Sequence, residues 1–161
     1  NDPEERVQLE AVESLNKINV PTGRAYIKQA LKSKNHGVVI AALKCLDPED
    51  ARPKLGEVIG WIQTRKGIPD EKEEKFRQSV IEILGRVGDD MALPVFAEIL
   101  NERSIFKGDL LLPTKEAVLK ALIQMNTGRA RQALRDATRH RDAYVAGIAQ
   151  DLLKRLEAGR I

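Results

Sequence analysis

The chain has 161 residues, of which 42% are hydrophobic, 32% charged and only 4% aromatic, a balance that supports a packed domain-sized core and excludes a disordered chain. Its 27 basic residues nearly cancel its 24 acidic ones, and a net charge of +3 does not by itself indicate nucleic acid, whose affinity is built from many phosphate contacts. No apolar stretch approaches the ~20 residues of a membrane span, so no membrane insertion is expected of this segment.

The apolar residues recur at helical spacing from the first turn onward. Val7, Ala11-Val12 and Ser14-Leu15 predict a first helix with Val7, Ala11, Leu15 and Ile18 on its inner side and Leu9 well round from them. Residues 24–32, with Ile27, Ala30 and Leu31, predict a second. Val38, Ala42-Leu43 and Cys45-Leu46 then restate the first pattern, and Leu55, Val58, Ile59 and Ile62 form the stripe of a helix over 51–65. The pattern returns as Phe76, Val80-Ile81 and Ile83-Leu84, followed by a helix over 90–100 with Leu93, Phe96, Ile99 and Leu100. In the fourth copy Thr114 leads Val118-Leu119 and Ala121-Leu122, and residues 129–139 supply Ala130, Ala133, Leu134 and Ala137. Val145, Ala149-Gln150 and Leu152-Leu153 close the series.

The last leucines of these copies, Leu15, Leu46, Leu84, Leu122 and Leu153, lie 31, 38, 38 and 31 residues apart. A period in the thirties suits two helices and two short turns. Gly23 and Gly128 each follow a threonine where a helix should begin; Pro21 and Pro48 are expected in turns, Pro53 and Pro94 in first helical turns. No alternating strand pattern occurs. The expected fold is all-α: about nine helices in four and a half helix-turn-helix repeats, forming a single domain over 1–161. The uneven ends, a capped last helix and a less regular first one, suggest the C-terminal part of a longer protein.

Leu84-Gly85-Arg86-Val87-Gly88-Asp89 resembles the HEAT consensus at the end of a first helix and its turn, and Phe76-Arg77 resembles the Val-Arg step that opens that helix. Residues 142–153 follow the same frame. Over nearly its whole length the chain is similar to bacterial HEAT-like repeats, which are related to those of phycobilin lyases. The resemblance implies an α-α superhelix, a solenoid whose second helices line a concave binding face, and a cytoplasmic, non-catalytic scaffold for another protein. The arginine of the consensus step is replaced by Gln8, Val39 and Ala146, so a ladder between repeats built on it is not expected.

On that face the partner-binding candidates are Arg24, Tyr26, Lys28, Trp61, Arg65, Arg131, Arg135 and Arg139. The last three, four residues apart, put three guanidinium groups on one stripe; an ordinary solvated face, an acidic protein surface and phosphate or nucleic acid are the three readings. Trp61 suits either packing between repeats or a surface hot spot. The connector 101–113 is apolar for a loop, and its Phe106 belongs either to a packed loop or to a docking element.

Signatures of chemistry are sparse. Cys45 is the only cysteine and reads as a buried small hydrophobe; with two histidines it cannot close a structural zinc site. His36 and His140 precede Gly37 and Arg141, so the His-Glu pairs of HEAT-like iron hydroxylases are missing, and both read as turn residues. Asp89-Asp90 falls where a turn meets a helix start and reads as capping. Gly56 and Gly60 suit close helix approach rather than a phosphate loop. A HEAT-like DNA glycosylase would need a basic concave face with aromatics, for which Trp61 is thin support. No catalytic residue, metal ligand or cofactor is therefore expected.

Overall fold

A computed structural model of the chain describes residues 3–18, 21–63, 70–103 and 108–159. Among these residues there is no strand, and nine helices of nine residues or more account for most of the chain. They are α1 (Pro3–Ile18), α2 (Pro21–Ala30), α3 (His36–Cys45), α5 (Leu55–Gln63), α6 (Glu71–Val87), α7 (Leu93–Asn101), α8 (Gly108–Met125), α9 (Gly128–Ala137) and α10 (Ala143–Glu157). A single turn, α4 (Pro48–Ala51), completes the set, and Arg52–Lys54 and Asp90–Ala92 are 3-10 turns.

Short polar side chains start several of these helices by accepting hydrogen bonds from otherwise unpaired N–H groups. Asn35 Oδ1 takes Gly37 N at 2.8 Å, Asp70 Oδ1 takes Glu73 N at 2.9 Å and Asp142 Oδ1 takes Tyr144 N at 3.0 Å. Two first helices end alike. Gly88, after α6, and Asn126, after α8, both have positive φ (70° and 54°), the left-handed turn that closes a helix. Pro21 and Pro48 correct the sequence reading: each is the first residue of a helix, where its missing N–H costs nothing, rather than part of a turn. Gly23 accordingly lies inside α2 and is buried. Pro113 is likewise within α8, so residues 108–113, expected as a connector, are helical.

The chain divides into two compact units, Asn1–Lys54 and Leu55–Ile161. In the first, α1 packs on α2 and α3 around Val12, Ile27, Val38, Ala42 and Leu46. The face that α1 buries is not the expected one: Leu9 and Leu15 pack on this core, whereas Val7 and Ile18 are 66% and 62% exposed. α1 meets its neighbours, α2 and α3, through the Leu9/Val12 side. Cys45 packs against the same core but is half-buried.

In the second unit α6 packs along α8, α8 along α10, and α5, α7 and α9 fill in beside them. The core includes Phe96, Leu55, Ile81, Leu84, Leu119 and Leu134, all essentially inaccessible. At the α6–α8 crossing a Cβ on Gly85 would stand 2.7 Å from Ala121 Cβ and 2.8 Å from its Cα. Close approach is needed there and not at Gly60, where a Cβ would meet nothing within 4 Å, or at Gly56, where it would only graze Met91.

Candidate recognition surface

The expected binding residues of the first unit lie on the outer side of α2, opposite buried Gly23 and Ile27. Arg24 is paired with Asp47 at 3.0 Å and Lys28 with Asp50 at 2.8 Å, so both cations are engaged by the chain that follows α3. Tyr26, between them, is 62% exposed.

In the second unit Trp61, on α5, is half-buried; its ring centroid lies 6.3 Å from that of Phe76 on α6, with the planes tilted by 44°. The tryptophan therefore packs against the residue that leads the third copy of the repeat. Arg65 and Phe106 lie outside the described residues.

Arg131 and Arg135 are exposed on α9, and Arg139 lies in the turn that follows it, its N–H bonded to the Asp136 carbonyl at 3.0 Å. α9 starts where Thr127 Oγ1 accepts from Ala130 N at 3.0 Å while donating to Asp90 Oδ1 at 2.6 Å. The two aspartates at 89 and 90 thus divide their work: Asp89 caps the 3-10 turn through Met91 N, and Asp90 anchors the start of α9. On the outer face Arg131 donates to Asn126 Oδ1, and Arg135 donates through Nε and Nη2 to Gln132 Oε1 at 3.2 and 2.9 Å. Both acceptors are neutral amides. Asp136, the acid of the same helix, is held by Gln132 Nε2 at 2.8 Å instead.

A polar network that sequence reasoning did not anticipate joins α6, the end of α7 and α8. Arg77, 4% exposed, donates to Glu74 at 2.9 Å and to Glu102, the cap at the end of α7, at 2.6 Å. Burial opposes the Arg77 charge, but Glu102 and Glu74 outweigh it and hold the guanidinium above the usual arginine range. Its Nε is the buried side-chain polar atom that lacks a partner among the described residues. The other Glu74 oxygen accepts from Thr114 Oγ1 at 2.6 Å, and that hydroxyl accepts from Gln78 Nε2 at 3.2 Å. Thr114 is fully buried, so a hydroxyl in the leading place of a repeat is explained by the carboxylate it faces.

Lys115 repeats the Arg77 arrangement 38 residues later. Its ammonium, 6% exposed, donates to Asp142 Oδ2 at 2.7 Å. Two buried cation–acid pairs thus stand on α6 and α8, Arg77–Glu102 to the end of α7 and Lys115–Asp142 to the start of α10, with the cations 38 residues apart. The 38-residue offset was the available signal, but a lysine in the arginine's place obscured it. The hydrogen bond from Lys115 chiefly lowers the Asp142 carboxyl below its ordinary 3.8. Asp142 N donates to His140 Nδ1 at 3.1 Å, which leaves the ring proton on Nε2, facing Asn101 Oδ1 at 3.3 Å. Burial, with Lys115 and Arg141 nearby, holds His140 below its ordinary 6.5 despite Asp142.

A groove of about 420 Å³ runs between α6 and α8, lined by Gln78, Ser79, Glu82, Ala117, Lys120 and Gln124 among others; none of the expected binding residues lines it. Among the described residues no cluster of three or more His, Cys, Asp or Glu side chains could hold a metal ion, and no helix is long and apolar enough to cross a membrane.

No protein-family model matches the chain, and neither a curated protein nor a solved structure does. The residues themselves therefore carry the functional reading.

Proposed function

We propose that this chain is a HEAT-like helical-repeat scaffold that recognises another protein through the outer faces of its second helices, without catalysis. The observation that carries this reading is the recurrence, at a 38-residue step, of a first helix packed on the next first helix with a buried cation on an acid: Arg77–Glu102, then Lys115–Asp142. A repeat that stacks in this way gains an extended surface of similar helix faces, which is how repeat proteins spread affinity over many side chains. Exposed Tyr26 on α2 and the arginines on α9 are the side chains available for it in the two units.

Photo-crosslinking side chains placed singly at Tyr26, Trp61 and Arg135 test the proposal, with Glu82 and Lys120 on first helices as comparison positions. Protein adducts concentrated at the second-helix positions are the expected result. Adducts to nucleic acid alone, formed at Arg135 and abolished by salt, would replace the proposal with phosphate recognition through Arg131, Arg135 and Arg139.

A further inference from the structure

We infer that α9 and the turn after it bind an acidic protein segment, two of its carboxylates about 6 Å apart meeting Arg131 and Arg135 and a further one meeting Arg139. The inference rests on the protein-recognition reading and names the partner's chemistry.

Four observations lead to it. First, the three side chains are exposed: Arg131 and Arg135, four residues apart on α9, have attachment points about 6 Å apart along the helix axis, and Arg139 follows in the turn where the helix has ended. Alternate residues of an extended peptide are about 6.6 Å apart, which lets acids two positions apart meet Arg131 and Arg135 together.

Second, among the described residues none of the three has a carboxylate partner. Arg131 rests on the Asn126 amide, Arg135 on the Gln132 amide, and Asp136 is taken by Gln132. Four other exposed cations are closed within the chain, Arg24 on Asp47, Lys75 on Glu71, Lys120 on Glu116 and Arg155 on Asp151, whereas Lys17, Lys72 and Lys154 stand singly rather than in a row. A guanidinium on a neutral amide keeps its full charge and exchanges that contact readily for a carboxylate. Its planar fork then donates to both oxygens.

Third, the positive charge is a stripe rather than a field. The whole chain carries only +3, and Arg129, the next arginine on α9, already faces Asp90 at 3.9 Å. Nucleic acid needs a broader run of phosphate contacts than three such groups supply. A short acidic segment needs no more.

Fourth, the platform is held in place from below. Thr127 ties the start of α9 to Asp90 at 2.6 Å, and Ala130, Leu134 and Ala137 are buried on its inner side. The arginines therefore project from a fixed helix, which lowers the ordering cost of binding.

Fluorescence anisotropy of a labelled twelve-residue peptide of alternating Glu and Ser, titrated with the whole chain at low salt, measures this. The expected result is saturable binding, weakened at least tenfold by Arg131→Gln/Arg135→Gln/Arg139→Gln together, since an exposed ion pair contributes up to about fivefold. Because Arg131 also touches Asn126, Arg135→Gln/Arg139→Gln provides a variant that leaves that contact intact, with an intermediate loss expected. Absence of saturable binding by the unmodified chain, binding by the triple variant within twofold of it, or tighter binding of a heptanucleotide carrying the same six charges would each overturn the inference. Protein crosslinks at Tyr26 or Trp61 in that event leave the scaffold reading standing and remove only the acidic partner.

Discussion

Lys115 donates to one oxygen of Asp142 at 2.7 Å while the other oxygen of the same carboxylate accepts from Tyr144 N at 3.0 Å, so one side chain both starts α10 and answers a buried charge from α8. The lysine side chain is 6% exposed and the aspartate 31%. Desolvation is therefore borne mostly by the cation, and removing the acid is the more damaging change.

Asp142→Ala is expected to cost about 2–4 kcal/mol, combining a lost helix cap with a stranded ammonium. In a Lys115→Met background the same substitution should cost only about 1 kcal/mol, the cap alone. Urea midpoints of the four proteins in the cycle measure the difference, and equal costs in both backgrounds would remove the pairing from the explanation.

Stability should fall in two steps on acidification. His140 is held below 6.5, so the folded protein favours the neutral ring and the unfolded chain binds the proton first. Its contribution is complete above 6.5 and is lost as pH falls from there through the lowered value. Asp142 is held below 3.8; its contribution is present above 3.8 and is lost as pH falls through its own lowered value. Thermal melts across pH 8 to 3 should show the upper step vanish in His140→Gln and the lower step shrink in Lys115→Met.

Thr114→Val should destabilise the protein by about 1–3 kcal/mol, because the Glu74 carboxylate would lose its hydroxyl donor in a buried setting. Alignment of the repeats alone favours the opposite outcome, since Val38 and Val145 hold the equivalent place and are buried there. Denaturant unfolding of the single variant decides between them.

Gly85→Ala is expected to cost about 1–3 kcal/mol, since its methyl group would strike the Cα of Ala121 and α8 would have to move. Gly60→Ala, with open space at the same atom, should instead stabilise α5 by about 0.5–1 kcal/mol. The two substitutions share one chemistry, so a common sign in their melting temperatures would contradict the packing described.

The helices were legible because their signal is local: a 3.6-residue period, a threonine before Gly128, Pro94 in a first turn. Arg131 and Arg135 were legible for the same reason, four-residue spacing being a property of one helix, whereas Arg139, expected on that helix, lies beyond its end at Ala137. Which side of α1 is buried was not. Its apolar residues span more than one face, and only the packing of α2 and α3 selects Leu9 and Val12 over Val7 and Ile18.

The buried polar contacts lay still further from view. Glu74 and Thr114 are 40 residues apart and Lys115 and Asp142 are 27 apart, and nothing in either residue's neighbourhood names the other. By itself the sequence determined the helical class, the start of α9 after Thr127 and the charge along that helix. Tertiary structure decided which apolar face is covered and which charges are answered, because burial and ion pairing depend on neighbours that only folding brings together.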